Sequence, residues 1–272
     1  MWFFILVFSG FFVESFAQLG PGLDTLPLYR TRMLLDFHSN WTDEVSLLPQ
    51  RTMTFRYSQS LSEKLPALVI ADVMFQADIT DSNQHMLGFA MTYRYEQKPM
   101  FSNLGVSIAG DRVRLSEDEW VSQAVVGLGQ TIKNSMFALH VYLPDQKVVE
   151  DKGEQVKLLP GFDLGLQVWQ PLLSKNTLHT TYAYSYFKDS NDAPFHGPKF
   201  TLGLEKDSQG YNAALSWATH YDNLHGAGMD ISMSYTFFPT KQPVLFMPFV
   251  DSLDHPAWRN RSFMIYTLPS QG

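Results

Sequence analysis

The 272-residue chain contains no cysteine. That absence excludes a disulfide framework, a thiolate metal site and a cysteine nucleophile. Basic residues are scarce as well: 20 Lys and Arg face 27 Asp and Glu, giving a formal net charge of −7. No stretch forms the basic stripe by which a protein tracks a nucleic acid. Beyond residue 18, no apolar run approaches the roughly 18 residues that a membrane-spanning helix needs.

Aromatic side chains are abundant, 21 Phe and 12 Tyr among 14% aromatics overall. The mean hydropathy is nevertheless only −0.13. A chain that is aromatic but not hydrophobic on average suits strands with one apolar and one polar face. Met1 to Gln18, MWFFILVFSGFFVESFAQ, is an apolar core followed by Ser15-Phe16-Ala17, a small-x-small cleavage site. Residues 1–17 read as a secretory signal peptide, and Ser9, Gly10 and Glu14 leave the run short for spanning. The chain is therefore expected to be exported. An exported chain without disulfides needs another source of stability, and closing a sheet on itself supplies one.

From residue 28 onward a period of two dominates the chain. Between Leu158 and Phe187, Phe162, Leu164, Leu166 and Val168 alternate with Asp163, Gly165 and Gln167. After a turn marked by Pro171, Ser174, Lys175 and Asn176, the residues Leu178, Thr180, Tyr182, Tyr184 and Tyr186 alternate with His179, Thr181, Ala183 and Ser185. Such alternation makes a strand with unlike faces. The signature recurs at Leu28–Phe37, Arg51–Ser58, Ala67–Ala77, Leu87–Glu96, Phe101–Ala109, Trp120–Gln130, Met136–Leu143, Lys199–Lys206, Tyr211–Tyr221 and Met229–Phe237. About twelve segments of roughly 8 to 11 residues match the length of a tilted strand that crosses a bilayer.

A soluble sandwich would turn the apolar faces inward, whereas an outer-membrane barrel turns them outward to lipid. The spacers decide between them. Connections near 38–50, 78–86, 110–119, 144–161, 188–198 and 222–228 are mostly long and polar. Those near 59–66, 97–100, 131–135, 171–177 and 207–210 are mostly shorter. Alternating long and short connections are the mark of surface loops and periplasmic turns. The expected fold is all-β, an antiparallel transmembrane β-barrel of about twelve strands over residues 28–238. A leader occupies 18–27, and a post-barrel segment, 239–272, threads or plugs the lumen. The polar faces then place Arg30, Arg32, Asp36, Arg56, Asp72, Arg94, Glu96, Asp163, Glu205 and Asp230 toward the lumen. There they can pair or stay hydrated, and for any one of them the plain structural role is an ion pair in the wall. Aromatic residues at strand ends (Trp120, Tyr186, Trp217, Tyr221, Phe238) are expected at the membrane interface.

Several stretches resemble one family. They are Ser46-Leu47-Leu48-Pro49 running into Met53-Thr54-Phe55-Arg56-Tyr57, then His140-Val141-Tyr142-Leu143-Pro144, and above all Leu159-Pro160-Gly161-Phe162-Asp163-Leu164-Gly165-Leu166. The last resembles the Gly-aromatic-Asp strand of the inverse autotransporters, the intimin and invasin adhesins, which ends in a proline-marked turn, here Gln170-Pro171. Trp258-Arg259-Asn260-Arg261 followed by Phe263-Met264-Ile265-Tyr266 is similar to that family's post-barrel linker. The resemblance implies a twelve-stranded barrel that sends its C-terminal chain outward through its own lumen to display a passenger. Asp251, Asp254, Arg259 and Arg261 of the tail would then face the lumen charges. It also implies outer-membrane lipid, the barrel-assembly machinery and periplasmic chaperones as partners, and a host surface receptor whose identity the sequence does not give. Two departures accompany it. Gln18 to Pro27 stands where the family carries a peptidoglycan-binding module, and no passenger precedes Gly272. Adhesion itself is thus not implied.

Two further classes are weighed beside the translocator: a passive pore and an outer-membrane phospholipase. A lipase needs Ser, His and an orienting polar group on the outer face. Ser58 and His220 are the nearest candidates, without the flanking pattern of that family, and the chain is expected not to be an enzyme. His220 with His225, and Asp251 with Asp254 and His255, lack a third matched ligand group, so no metal and no cofactor are expected. Asp145 to Lys157 mixes both charges and reads as a hydrated surface loop.

Overall fold

The computed structural model describes residues 31–42, 51–60, 67–79, 85–97, 102–114, 119–132, 135–145, 147–151, 154–172, 176–188, 194–208, 211–223, 226–237 and 265–267. Twelve long strands close into one antiparallel barrel. They are β1 (Thr31–Thr42), β2 (Arg51–Ser60), β3 (Ala67–Asp78), β4 (His85–Gln97), β5 (Ser102–Arg114), β6 (Trp120–Ile132), β7 (Ser135–Pro144), β10 (Gly161–Pro171), β11 (Asn176–Phe187), β12 (Phe195–Ser208), β13 (Tyr211–Asp222) and β14 (Gly226–Phe237). Each pairs with its sequence neighbour in the barrel. β1 closes the ring on β14, from Met33 opposite Phe237 to Thr42 opposite Gly228. Three short strands form a separate sheet in the order β15 (Ile265–Thr267), β9 (Glu154–Leu158), β8 (Val148–Asp151).

The faces follow the period of two. In β7, Met136, Ala138, His140 and Tyr142 are buried while Phe137, Val141 and Leu143 are exposed. Every barrel strand presents an apolar side chain outward, among them Phe37, Phe55, Val73, Phe89, Val106, Leu128, Phe137, Leu164, Tyr182, Leu204, Leu215 and Met233. Left in water, each would forgo about 1.5–3 kcal/mol of burial. A continuous belt of them far exceeds the apolar patches a soluble monomer carries. Lipid satisfies the belt, and the closed ladder leaves no edge to satisfy, so the barrel is an outer-membrane one.

The two ends of the barrel differ. At one, β14 ends, β1 begins, and the strands are linked by 61–66, 98–101, 133–134, 172–175 and 209–210. At the other lie 43–50, 79–84, 115–119, 145–160, 188–194 and 223–225. Two expectations change. Trp217 is at mid-strand, opposite Leu202 and Ile231, and faces outward there instead of marking a rim. Trp120, Tyr186 and Tyr221 do sit at strand ends, all at the long-loop end, while Phe238 lies outside the described residues. The second change is the Asp145–Lys157 loop, which is more than a hydrated surface: Asp145, Lys147, Val148, Glu150 and Gln155 are exposed as expected, but the segment is paired into strands. It forms β8 and β9, and Val149 on β8 and Leu158 at the end of β9 are buried.

Candidate functional site

The barrel wall gathers its chemistry on the inside. Asp36, Thr52, Thr54, Arg56, Asp72, Asp111, Gln123, His140, Asp163, Thr181 and Asp230 are all buried there. Four clusters result. Arg56 on β2 and Asp72 on β3 form an ion pair, Nη2 to Oδ1 at 2.9 Å and Nε to Oδ1 at 3.0 Å. Their positions are two apart in register, Arg56 opposite Met74 and Ser58 opposite Asp72, so the long guanidinium reaches along the strand to meet the short carboxylate. On β7 and β10, Asp163 lies directly opposite His140. Its Oδ1 is 2.9 Å from His140 Nδ1, and its other oxygen accepts a hydrogen bond from the Tyr142 hydroxyl. Asp163 is 0% exposed, and these partners offset the desolvation of a buried carboxylate. His179 on β11 contacts Glu205 on β12. Lys199 Nζ donates to Asp230 Oδ2 at 2.5 Å, and His220 Nδ1 lies 3.7 Å from the same oxygen.

One arc of the lumen is apolar instead. Met74, Met86, Val113 and Val121, from β3 to β6, cluster with Val149 and Leu158 of the hairpin between β7 and β10. Leu159 packs beside them with Ala90, Ala109, Val125, Tyr142 and Phe187. The hairpin therefore folds into the barrel mouth. Its base is fixed to the start of β6. Asp145 N–H donates to Ser122 O at 3.0 Å, and Ser122 N–H donates back to Asp145 Oδ2 at 2.9 Å. Lys147 N–H donates to Asp145 Oδ1 at 3.1 Å, closing a turn, and its ammonium reaches Glu119 and the Trp120 carbonyl. Across the sheet order, β9 pairs with β8 on one edge and with β15 on the other.

Of the residues singled out from the sequence, Asp36, Arg56, Asp72, Asp163 and Asp230 are buried inside, and Glu205 is half-buried against His179. Arg32, Arg94 and Glu96 lie on β1 and β4, but their side chains are outside the described residues, as is Arg30. So are Asp251, Asp254, Arg259 and Arg261. Sequence reasoning placed His179 on a polar face and named His220 as a candidate base, but it gave neither its carboxylate partner and His140 no role. His140, His179 and His220 stood at polar positions of their strands, and the alternation alone gave them an inward direction but no partner. Tyr142 was missed because β7 is apolar on both faces. Ser58 and His220 do not come together: Ser58 is near the short-turn end of β2 and His220 near the long-loop end of β13. No group of three potential metal ligands occurs among the described residues.

No family model and no curated protein matches the chain. Solved structures do. A chain from work on the in-meso crystallization of membrane proteins is 11% identical, covers 88% of this chain and 100% of itself, and superposes with a TM-score of 0.66. An outer membrane channel from Pseudomonas putida F1 is 8% identical over 80% of this chain and 98% of its own, with a TM-score of 0.59. The translocator domain of the autotransporter NalP from Neisseria meningitidis is more distant, 10% identical over 77% and 88%, at a TM-score of 0.42. At such identities the likeness speaks to fold alone, and with the apolar belt it makes this chain a twelve-stranded β-barrel of the outer-membrane type.

Proposed function

We propose that the barrel is a translocator of the inverse autotransporter kind, anchoring its own C-terminal segment and carrying it to the cell surface. The observation that carries this reading is the position of β15. β14 ends at the short-turn mouth, whereas Ile265, Tyr266 and Thr267 pair with β9 at the long-loop mouth. Residues 238–264 thus connect opposite mouths. A strand of twelve residues tilted by about 40° rises about 30 Å, which an extended chain covers in about ten residues. A path along the outer face would leave unpaired backbone groups in hydrocarbon, several kcal/mol each. The polar lumen is the path that costs least, and there Asp251, Asp254, Arg259 and Arg261 would face polar walls in place of hydrocarbon. Residues 1–17 act as the signal peptide, 18–27 as a periplasmic leader, and long loops face outward.

An epitope tag after Gly272, probed by antibody on intact cells, tests the reading. Surface labelling is expected, and deletion from Pro243 onward should raise ion conductance in planar bilayers by clearing the lumen. A tag reached only after permeabilisation, with conductance unchanged by the deletion, sinks it. High conductance in the intact chain favours a passive pore instead, and lipid hydrolysis a phospholipase-like barrel.

A further inference from the structure

The hairpin at the long-loop mouth offers a way for the emerging chain to be held. It is short and carries Lys147, Glu150, Asp151, Lys152, Glu154 and Lys157, a composition that alone would leave it in solvent. Instead Val149 and Leu158, 4% and 3% exposed, are seated against Met74, Met86, Val113 and Val121 of the wall. The Asp145 turn locks its base to β6. A strand ordered in this way has already lost its conformational freedom, so a partner strand bears only its own ordering cost. β9 uses one edge for β8, from Val148 opposite Lys157 to Asp151 opposite Glu154. The other edge receives Ile265, Tyr266 and Thr267 opposite Leu158, Lys157 and Val156.

We infer that β9 is a receiving strand, built to capture an extended segment of this same chain by main-chain pairing as that segment leaves the lumen. The inference rests on the passage of residues 238–264 through the barrel. Addition of a strand to a sheet edge draws its affinity from backbone hydrogen bonds, so it tolerates many side chains in the added strand. That property suits a chain that slides past before it stops. Three paired residues are a weak hold, which keeps capture reversible until the rest of the segment has passed.

The absence of native cysteine makes cross-linking clean. Val156→Cys with Thr267→Cys joins directly opposed positions, whose Cα atoms lie about 4.5–5.5 Å apart in an antiparallel pair, within disulfide reach. The full chain, expressed in cells and checked for the heat-dependent gel shift of a folded barrel, should form this disulfide in high yield. Ile265→Thr with Tyr266→Val, which changes side chains but keeps strand propensity, should leave the yield within about twofold. Proline at 265 and at 266 should be tried in turn. Adjacent residues aim their N–H groups to opposite sides, so one of the two removes a donor facing β9 and should cut the yield at least about fivefold. Absence of the disulfide in a folded barrel overturns the inference. So does loss with the side-chain exchange but not with either proline. The tag after Gly272 separates this from the export reading. A disulfide with a tag hidden from intact cells leaves β9 as a docking strand and removes export, whereas a surface tag without the disulfide keeps export and removes the receiving strand.

Discussion

Two neighbouring substitutions on β14 measure the face assignment directly. Met233 is 58% exposed on the outer face, and its partners Phe37 on β1 and Leu215 on β13 are exposed apolar residues as well. An arginine at 233 therefore meets hydrocarbon and two apolar neighbours, with no carboxylate beside it. It lies between Gly226 and Phe237, about 1.5 residues from mid-strand, or about 4 Å from the membrane centre at a tilt near 40°. For Lys or Arg the cost is about 2–4 kcal/mol at the midplane and falls toward the interfaces, so about 2–3 kcal/mol is expected here. That lowers the folded-to-unfolded ratio by about 30- to 150-fold, at 1.36 kcal/mol per tenfold. Ser234 is the contrasting site. It is paired with Ala214 on β13 and with Asp36 on β1, whose buried carboxyl faces the lumen. A guanidinium there has water and a carboxylate within reach, and Ser234→Arg should cost less than about 1 kcal/mol. Urea titrations of folding into vesicles, read by heat-dependent gel mobility, give both values. Equal losses, or a larger loss for Ser234→Arg, would refute the outward placement of Met233 and with it the register of β14 on β1.

The lumen wall and the strand glycines give two other expected outcomes. Arg56→Met leaves the Asp72 carboxylate, 0% exposed, without its guanidinium and should destabilise by about 3–5 kcal/mol, while Arg56→Met with Asp72→Leu recovers most of the loss; equilibrium unfolding of the three variants checks the ordering, and a double variant no better than the single would show that the pair is not the source. At Gly161 an added Cβ would overlap the Tyr186 carbonyl oxygen and the Phe187 ring, whereas at Gly110 it would meet nothing within 4 Å, so Gly161→Ala should cost about 1–3 kcal/mol and Gly110→Ala almost nothing, as compared by unfolding midpoints.

The alternation from Thr31 to Phe237 was legible because side-chain direction in a strand is a local property. A residue's parity fixes its face wherever the strand ends up, so Asp36, Arg56, Asp163 and Asp230 on one side and Leu164, Leu204 and Met233 on the other could be separated before any pairing was known. The number of strands and their antiparallel order came from the same pattern together with the spacer lengths. Which inward groups meet was not local. Asp163 finds His140 and Tyr142, and Lys199 finds Asp230, through registers set by the whole closed ladder. The hairpin is the plainest case. In sequence, its charges outweigh Val149 and Leu158. In the fold, those two side chains find an apolar arc assembled from β3, β4, β5 and β6, and burying them there outweighs leaving the loop in solvent. The contact of β15 with β9 lies further still from anything local, since Ile265 and Leu158 are distant in sequence and meet only in the folded chain. Period and composition are written residue by residue, whereas partners across a closed sheet exist only once the sheet has closed.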